Sequence, residues 1–170
     1  MPGPGLSIDP ATPADVPLLV DLIHELAEYE RLRHAVRIRP EDLARDLFGV
    51  RPYAEAVVAR FDGEPVGFAL WFHNYSTFEG RPGLYLEDLF VRPVFRGRGC
   101  GEALLRHLAR RAVERGCGRF EWAVLDWNEP AIQFYRKLGA VAMDDWTVQR
   151  VSGDALRALA QVPLQAGDTP

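Results

Sequence analysis

Cysteine is scarce in this chain, with Cys100 and Cys117 its only two. Two thiols cannot staple a small disulfide framework, and neither falls in a CxxC or Cys/His spacing, so both are expected free and no metal site is expected. No apolar run approaches the roughly 20 residues needed to cross a bilayer. The opening Met-Pro-Gly-Pro-Gly lacks the basic region and apolar segment of a secretory signal, which makes a cytoplasmic location the expectation. Basic excess is also missing: 20 Lys and Arg stand against 24 Asp and Glu, a net charge of -4. That balance removes the electrostatic footprint of a nucleic-acid binder and mildly favours a cationic ligand. No internal repeat is visible, and no low-complexity segment beyond the ends.

What remains is ordinary globular material, with 48% apolar and 26% charged residues in 170. That size implies one domain, expected over residues 6–162, with loose Pro/Gly-containing ends at 1–5 and 163–170. A short strand at 6–8 leads to a helix start at Thr12-Pro13-Ala14-Asp15, after which Leu18, Leu19, Leu22, Ile23 and Leu26 recur at helical spacing. A second helix follows Pro40 and ends near Gly49. Residues 56–61 and 66–75 are rich in Val, Phe and Trp and flank Asp62-Gly63, the composition of a hairpin turn. Further strands are expected at 84–91 and 120–125, helices at 99–115 and 130–138, and a last strand pair near Val141 and at 146–151. The order implies an α/β protein with a mixed central sheet of about six to seven strands flanked by helices.

The strongest local signal is Arg96-Gly97-Arg98-Gly99-Cys100-Gly101, lying between an apolar strand and an amphipathic helix. Glycines let the backbone curl so that several N–H groups converge, and a helix N-terminus adds partial positive charge, which together suit a pyrophosphate. A dinucleotide fold would need GxGxxG and a P-loop a following Lys-Ser/Thr; neither is present. Glu87 and Asp88 interrupt an apolar strand, where alternation sends neighbours to opposite faces, so at least one is expected to face a cleft. Asn128 precedes Glu129-Pro130 and reads as a helix N-cap. The four histidines share no spacing and read as structural.

The glycine run resembles the coenzyme A motif Arg/Gln-x-x-Gly-x-Gly/Ala of the GNAT N-acetyltransferases. Leu22-Ile23-His24-Glu25-Leu26-Ala27-Glu28-Tyr29-Glu30, Tyr85-Leu86-Glu87-Asp88-Leu89-Phe90-Val91, and Val124-Leu125-Asp126-Trp127-Asn128 with Phe134-Tyr135 resemble its diamine and thialysine acetyltransferase branch. The matching stretches run in the same order from about Ile8 to Ala160.

The resemblance implies a GNAT fold, acetyl-CoA as cosubstrate, a small-molecule primary amine as acceptor, and direct transfer in a ternary complex. Backbone groups of Phe90 and Val91 would hold the pantetheine arm, with the N–H groups of Arg96, Gly97, Arg98, Gly99, Cys100 and Gly101 at the pyrophosphate and Asn128 near the arm. Tyr135 matches the tyrosine that protonates the leaving thiolate, a task suited to a phenol of pKa ~10. Glu87 matches the carboxylate that takes the amine proton or holds the cation. Asp88, Glu28, Glu30, Phe78 and Trp146 fall at or beside the amine site, and a homodimer is implied, with residues 146–151 at the contact.

This chain departs from the polyamine pattern in its 74–83 loop, where Phe78 stands for a tryptophan and Ser76 for an acid. That favours a lysine-like or thialysine-like acceptor or a short diamine over a long polyamine, with Arg81 as a candidate partner for an amino-acid carboxylate. The competing readings are a polyamine, drug or protein-amine acetyltransferase on the same fold, and a non-catalytic acetyl-CoA-binding module. Retention of Glu87 and Tyr135 argues against the last.

Overall fold

Val- and aromatic-rich segments pair as strands, while the Leu-spaced segments between them wind into helices. In the computed structural model, which describes residues 5–161, β1 (Leu6–Pro10), β2 (Glu55–Phe61), β3 (Glu64–Ser76) and β4 (Arg81–Val91) pair antiparallel in chain order, and β5 (Arg119–Trp122) joins β4 in parallel. The β2–β3 turn is the expected Asp62-Gly63 pair, with φ 51° and 87°. Both residues are left-handed, as a two-residue hairpin of this hand requires.

Helices cover both faces of the sheet. On one, α1 (Val16–Tyr29) and α2 (Pro40–Phe48) bury Leu19, Leu22, Leu26, Leu43 and Leu47 against Ala56, Val58, Phe68 and Phe90. The alternate strand positions Val57, Ala69 and Trp71 are buried as well, and α3 (Cys100–Glu114) packs on β3, β4 and β5 with Leu104, Leu105 and Leu108 inside. The α1 entry is fixed by Asp15, whose carboxylate accepts from Thr12 N and Oγ1 at 2.8 Å each and from Arg60 at 2.5 Å. Because α3 is the crossover from β4 to parallel β5, its N-terminus lies past the carboxyl end of β4, where open α/β sheets bind ligands.

The chain divides into two compact units, Met1–Ala123 and Val124–Pro170. The second contains α4 (Glu129–Lys137) and α5 (Gly153–Gln161). Here the sequence expectation fails: residues 140–152 carry no strand, and among the described residues the sheet has five strands rather than six or seven. Val141, Met143, Trp146, Val148 and Val151 have the composition of strands but stand exposed. A strand needs a neighbour for its backbone N–H and C=O groups, and the described residues of this unit contain no other strand. α5 was not anticipated, although Leu156 and Leu159 are spaced one turn apart. β5 also ends three residues earlier than expected. The tail 163–170 and residues 1–4 lie outside the described residues. Gly5, read as part of the loose end, accepts a hydrogen bond from Asp62 N at 2.8 Å.

Candidate active site

β4 carries the acids and then delivers the chain into the glycine loop. Leu70 of β3 opposes Asp88, but the next residue, Trp71, opposes Leu86, so Glu87 has no opposite number. This is a β-bulge, which interrupts the regular pairing of β3 and β4 at Glu87. Asp88, paired with Leu70 and two residues before Phe90, lies on their face of the sheet, beneath α1, while Glu87 is exposed. The two charges act on each other: burial, then repulsion from Glu87 and Glu30, pushes the Asp88 carboxyl up to about 6. Glu30, at the C-cap of α1, is raised by burial too. Thus Glu30, Glu87 and Asp88 form one acidic neighbourhood. Glu28 instead makes an exposed ion pair with Arg33 at 3.1 Å.

After Val91 a short turn at Pro93–Phe95 leads into the loop. Gly97 and Gly99 are left-handed, with φ 76° and 80°, and a Cβ at either would meet open space. Gly99 is the N-cap of α3 and has no side chain to occupy the first-turn N–H groups. Those donors, with Arg96 and Arg98 close in sequence, suit a pyrophosphate, so the residues present fit coenzyme A. Arg98 lies 5.4 Å from the Phe95 ring and 5.8 Å from that of Phe61. Cys100 is 1% exposed and burial raises its thiol, which makes it a packing residue rather than a nucleophile.

In the second unit, Asn128 is 8% exposed and caps α4, accepting from Ala131 N at 3.4 Å. Tyr135 lies seven residues on, two turns along the same helix face, with its ring 5.5 Å from that of Phe134. Trp146 is 73% exposed, in the strandless stretch.

Phe78 does not join the acids within the first unit. It is 96% exposed at the tip of the β3–β4 hairpin, and β4 alone separates its first residue, Arg81, from Glu87 by roughly 20 Å. The same distance keeps the Arg81 backbone away from any short amino acid whose amine sits at Glu87. Two of the histidines have defined surroundings. His73 Nδ1 lies 3.0 Å from the Gly83 carbonyl, and its Nε2 lies 2.9 Å from Arg115 Nη1. Burial lowers His107, followed by repulsion from Arg111 and Arg110. No group of three or more His, Cys, Asp or Glu arranged to hold a metal occurs among the described residues. Glu25, Tyr29 and Arg92, to which the sequence alone assigns no role, tie α1 to the passage between β4 and α3; the four-residue spacing of Glu25 with Tyr29, and of Arg92 with Arg96, is the signal available in the sequence.

The family model for the acetyltransferase (GNAT) family matches residues 19–140. A thialysine N-epsilon-acetyltransferase from Sus scrofa is 40% identical over 153 residues, 84% of this chain and 89% of that protein. An L-ornithine N5-acetyltransferase from Arabidopsis thaliana is 34% identical over 199 residues, 91% of this chain and 87% of that protein. Among solved structures, an integron cassette protein from the mobile metagenome of V. cholerae superposes with a TM-score of 0.79 at 27% identity, covering 94% of this chain and all of that one. The chain belongs to the GNAT acetyltransferase family and is an acyl-transferring enzyme with the family's α/β fold. Members of that family use acetyl-CoA as cosubstrate and acetylate amines.

Proposed function

We propose that this enzyme transfers the acetyl group of acetyl-CoA to the terminal primary amine of a small molecule, a thialysine-like or lysine-like amino acid or a short diamine. The observation that carries the reading is the course of β4: its acidic bulge at Glu87-Asp88 lies twelve or fewer residues before a left-handed glycine loop opening α3. An anionic cosubstrate and a cationic acceptor are thereby recognised along one short stretch of chain. Acetyl-CoA supplies the activated acyl group. Loop N–H groups of residues 96–101 hold its pyrophosphate, and the backbone of Phe90 and Val91 orients its arm. Glu30 and Asp88 attract the ammonium. Glu87 takes the proton that an alkyl amine of pKa ~10 must lose before it attacks. Tyr135 hydrogen-bonds and protonates the departing thiolate, with Asn128 beside the arm. Holding both reactants together removes a bimolecular encounter. The acetyltransferase domain is proposed to span residues 6–162.

The thialysine and ornithine relatives both act, by name, on side-chain amines of short amino acids. Arg81 adds no support to that preference, given its place on the hairpin. Comparing kcat/KM for thialysine, lysine, a short diamine and spermidine tests the assignment; a spermidine value well above the rest would overturn it. The enzyme is further proposed to be a cytoplasmic homodimer whose contact includes residues 146–151. Light scattering that gave the 19.1 kDa monomer mass at micromolar concentration would contradict the dimer.

A further inference from the structure

Two arginines between β4 and α3 reach back onto α1 at matched spacing. Arg92 grips the Glu25 carboxylate, with Nη2 at 2.7 Å and Nε at 3.0 Å, and donates Nη1 to the Pro65 carbonyl at 2.8 Å. Four residues on, Arg96 donates Nε to the Val91 carbonyl at 2.9 Å and lays its guanidinium 4.4 Å from the centre of the Tyr29 ring. Glu25 and Tyr29 are also four apart, one turn of α1, so they stand one above the other on the same side of the helix. The result is a two-rung ladder between α1 and the passage into the glycine loop.

The second rung sits at a sensitive place. Arg96 heads the loop, Val91 ends the strand whose backbone is proposed to hold the pantetheine arm, and Tyr29 is the last residue of α1, directly between Glu28 and Glu30. An arginine at the head of a phosphate loop would ordinarily be assigned to the phosphates. Here its Nε is engaged by a carbonyl and its flat face by an aromatic ring, an attraction that needs no ligand.

We infer that Arg96 is a positioning residue: through Val91 and Tyr29 it fixes the glycine loop relative to the acidic end of α1, and so couples coenzyme binding to amine binding. This rests on the acetyl-CoA reading above. The test is calorimetric titration of acetyl-CoA into wild type, Tyr29→Leu, Tyr29→Phe, Arg96→Gln, Arg96→Lys and the Tyr29→Leu/Arg96→Gln double variant, with folding checked by circular dichroism. The amine KM is measured alongside. Tyr29→Leu is expected to weaken acetyl-CoA about 2- to 5-fold, the range of an exposed cation–ring contact, while Tyr29→Phe, which keeps the ring, is expected to lose less. The double variant is expected to bind no more weakly than Arg96→Gln alone, and Arg96→Gln to raise the amine KM as well. Arg96→Lys keeps the charge but not the planar fork and is expected to lose affinity with the others. Wild-type affinity in Tyr29→Leu or in Arg96→Lys, or losses that multiply in the double variant, would overturn the coupling and leave the function intact. A wild type that did not bind acetyl-CoA would overturn both.

Discussion

Asp88→Asn removes a carboxyl that the fold holds at a disadvantage, and its effect has a definite sign. Raised by burial, Glu87 and Glu30 from 3.8 to about 6, Asp88 keeps its proton more firmly in the folded state than in the unfolded chain. Between those values the native state binds more protons, so stability falls as pH rises from about 4 to 6. The shift corresponds to roughly 3 kcal/mol, the full penalty being present at pH 7 and absent below about pH 4. Asn is close in shape and cannot ionise. The gain in unfolding free energy on going to Asn is therefore expected to be larger at pH 7 than at pH 4 by up to about 3 kcal/mol, or several degrees in Tm for a chain of this size. Urea unfolding followed by fluorescence at both pH values measures that difference. A loss confined to pH 7 would mean that Asp88 is held charged by a cationic partner, and equal effects at the two pH values that its carboxyl is not displaced at all; either result would refute the repulsive cluster. Function should pay the opposite way: the variant is expected to bind the cationic acceptor more weakly at pH 7.

Gly99→Val forces a branched side chain into φ 80° and is expected to weaken acetyl-CoA binding without unfolding the sheet; unchanged affinity of the folded variant in a calorimetric titration would rule the loop out. Tyr135→Phe removes one hydroxyl and is expected to lower kcat by roughly 10²-fold or more with little change in the acetyl-CoA KM, where single-turnover kinetics show chemistry to be limiting. Glu87→Gln is expected to lose activity near neutral pH and regain part of it at alkaline pH, where more amine is already deprotonated. A pH–rate profile displaced equally at every pH would assign Glu87 to binding instead.

The legible parts of this molecule were those governed by local pattern. Leu19, Leu22 and Leu26 announced α1, Asp62-Gly63 the hairpin, Asn128 its cap, and the glycine run the loop. The illegible parts depend on long-range registration. Nothing in Leu86-Glu87-Asp88-Leu89 distinguishes a regular strand from a bulged one, because the bulge is a relation to Leu70 and Trp71 on β3. Phe78 and Arg81 looked close to Glu87 in sequence, yet an extended strand turns that closeness into distance. Val141 and Trp146 have strand-like composition, but composition cannot supply a neighbouring strand. The contact of Tyr29 with Arg96 joins residues far apart in the chain, and no local pattern announces it.

Mass spectrometry of thialysine, lysine and short diamines incubated with this enzyme and acetyl-CoA tests the proposed acetyl transfer. One acetyl group is expected on the side-chain or terminal amine, with one coenzyme A thiol released for each and no acetyl group retained on Cys100. Absence of any acetylated amine from a folded, acetyl-CoA-binding enzyme, or accumulation of acetylated Cys100, would contradict it.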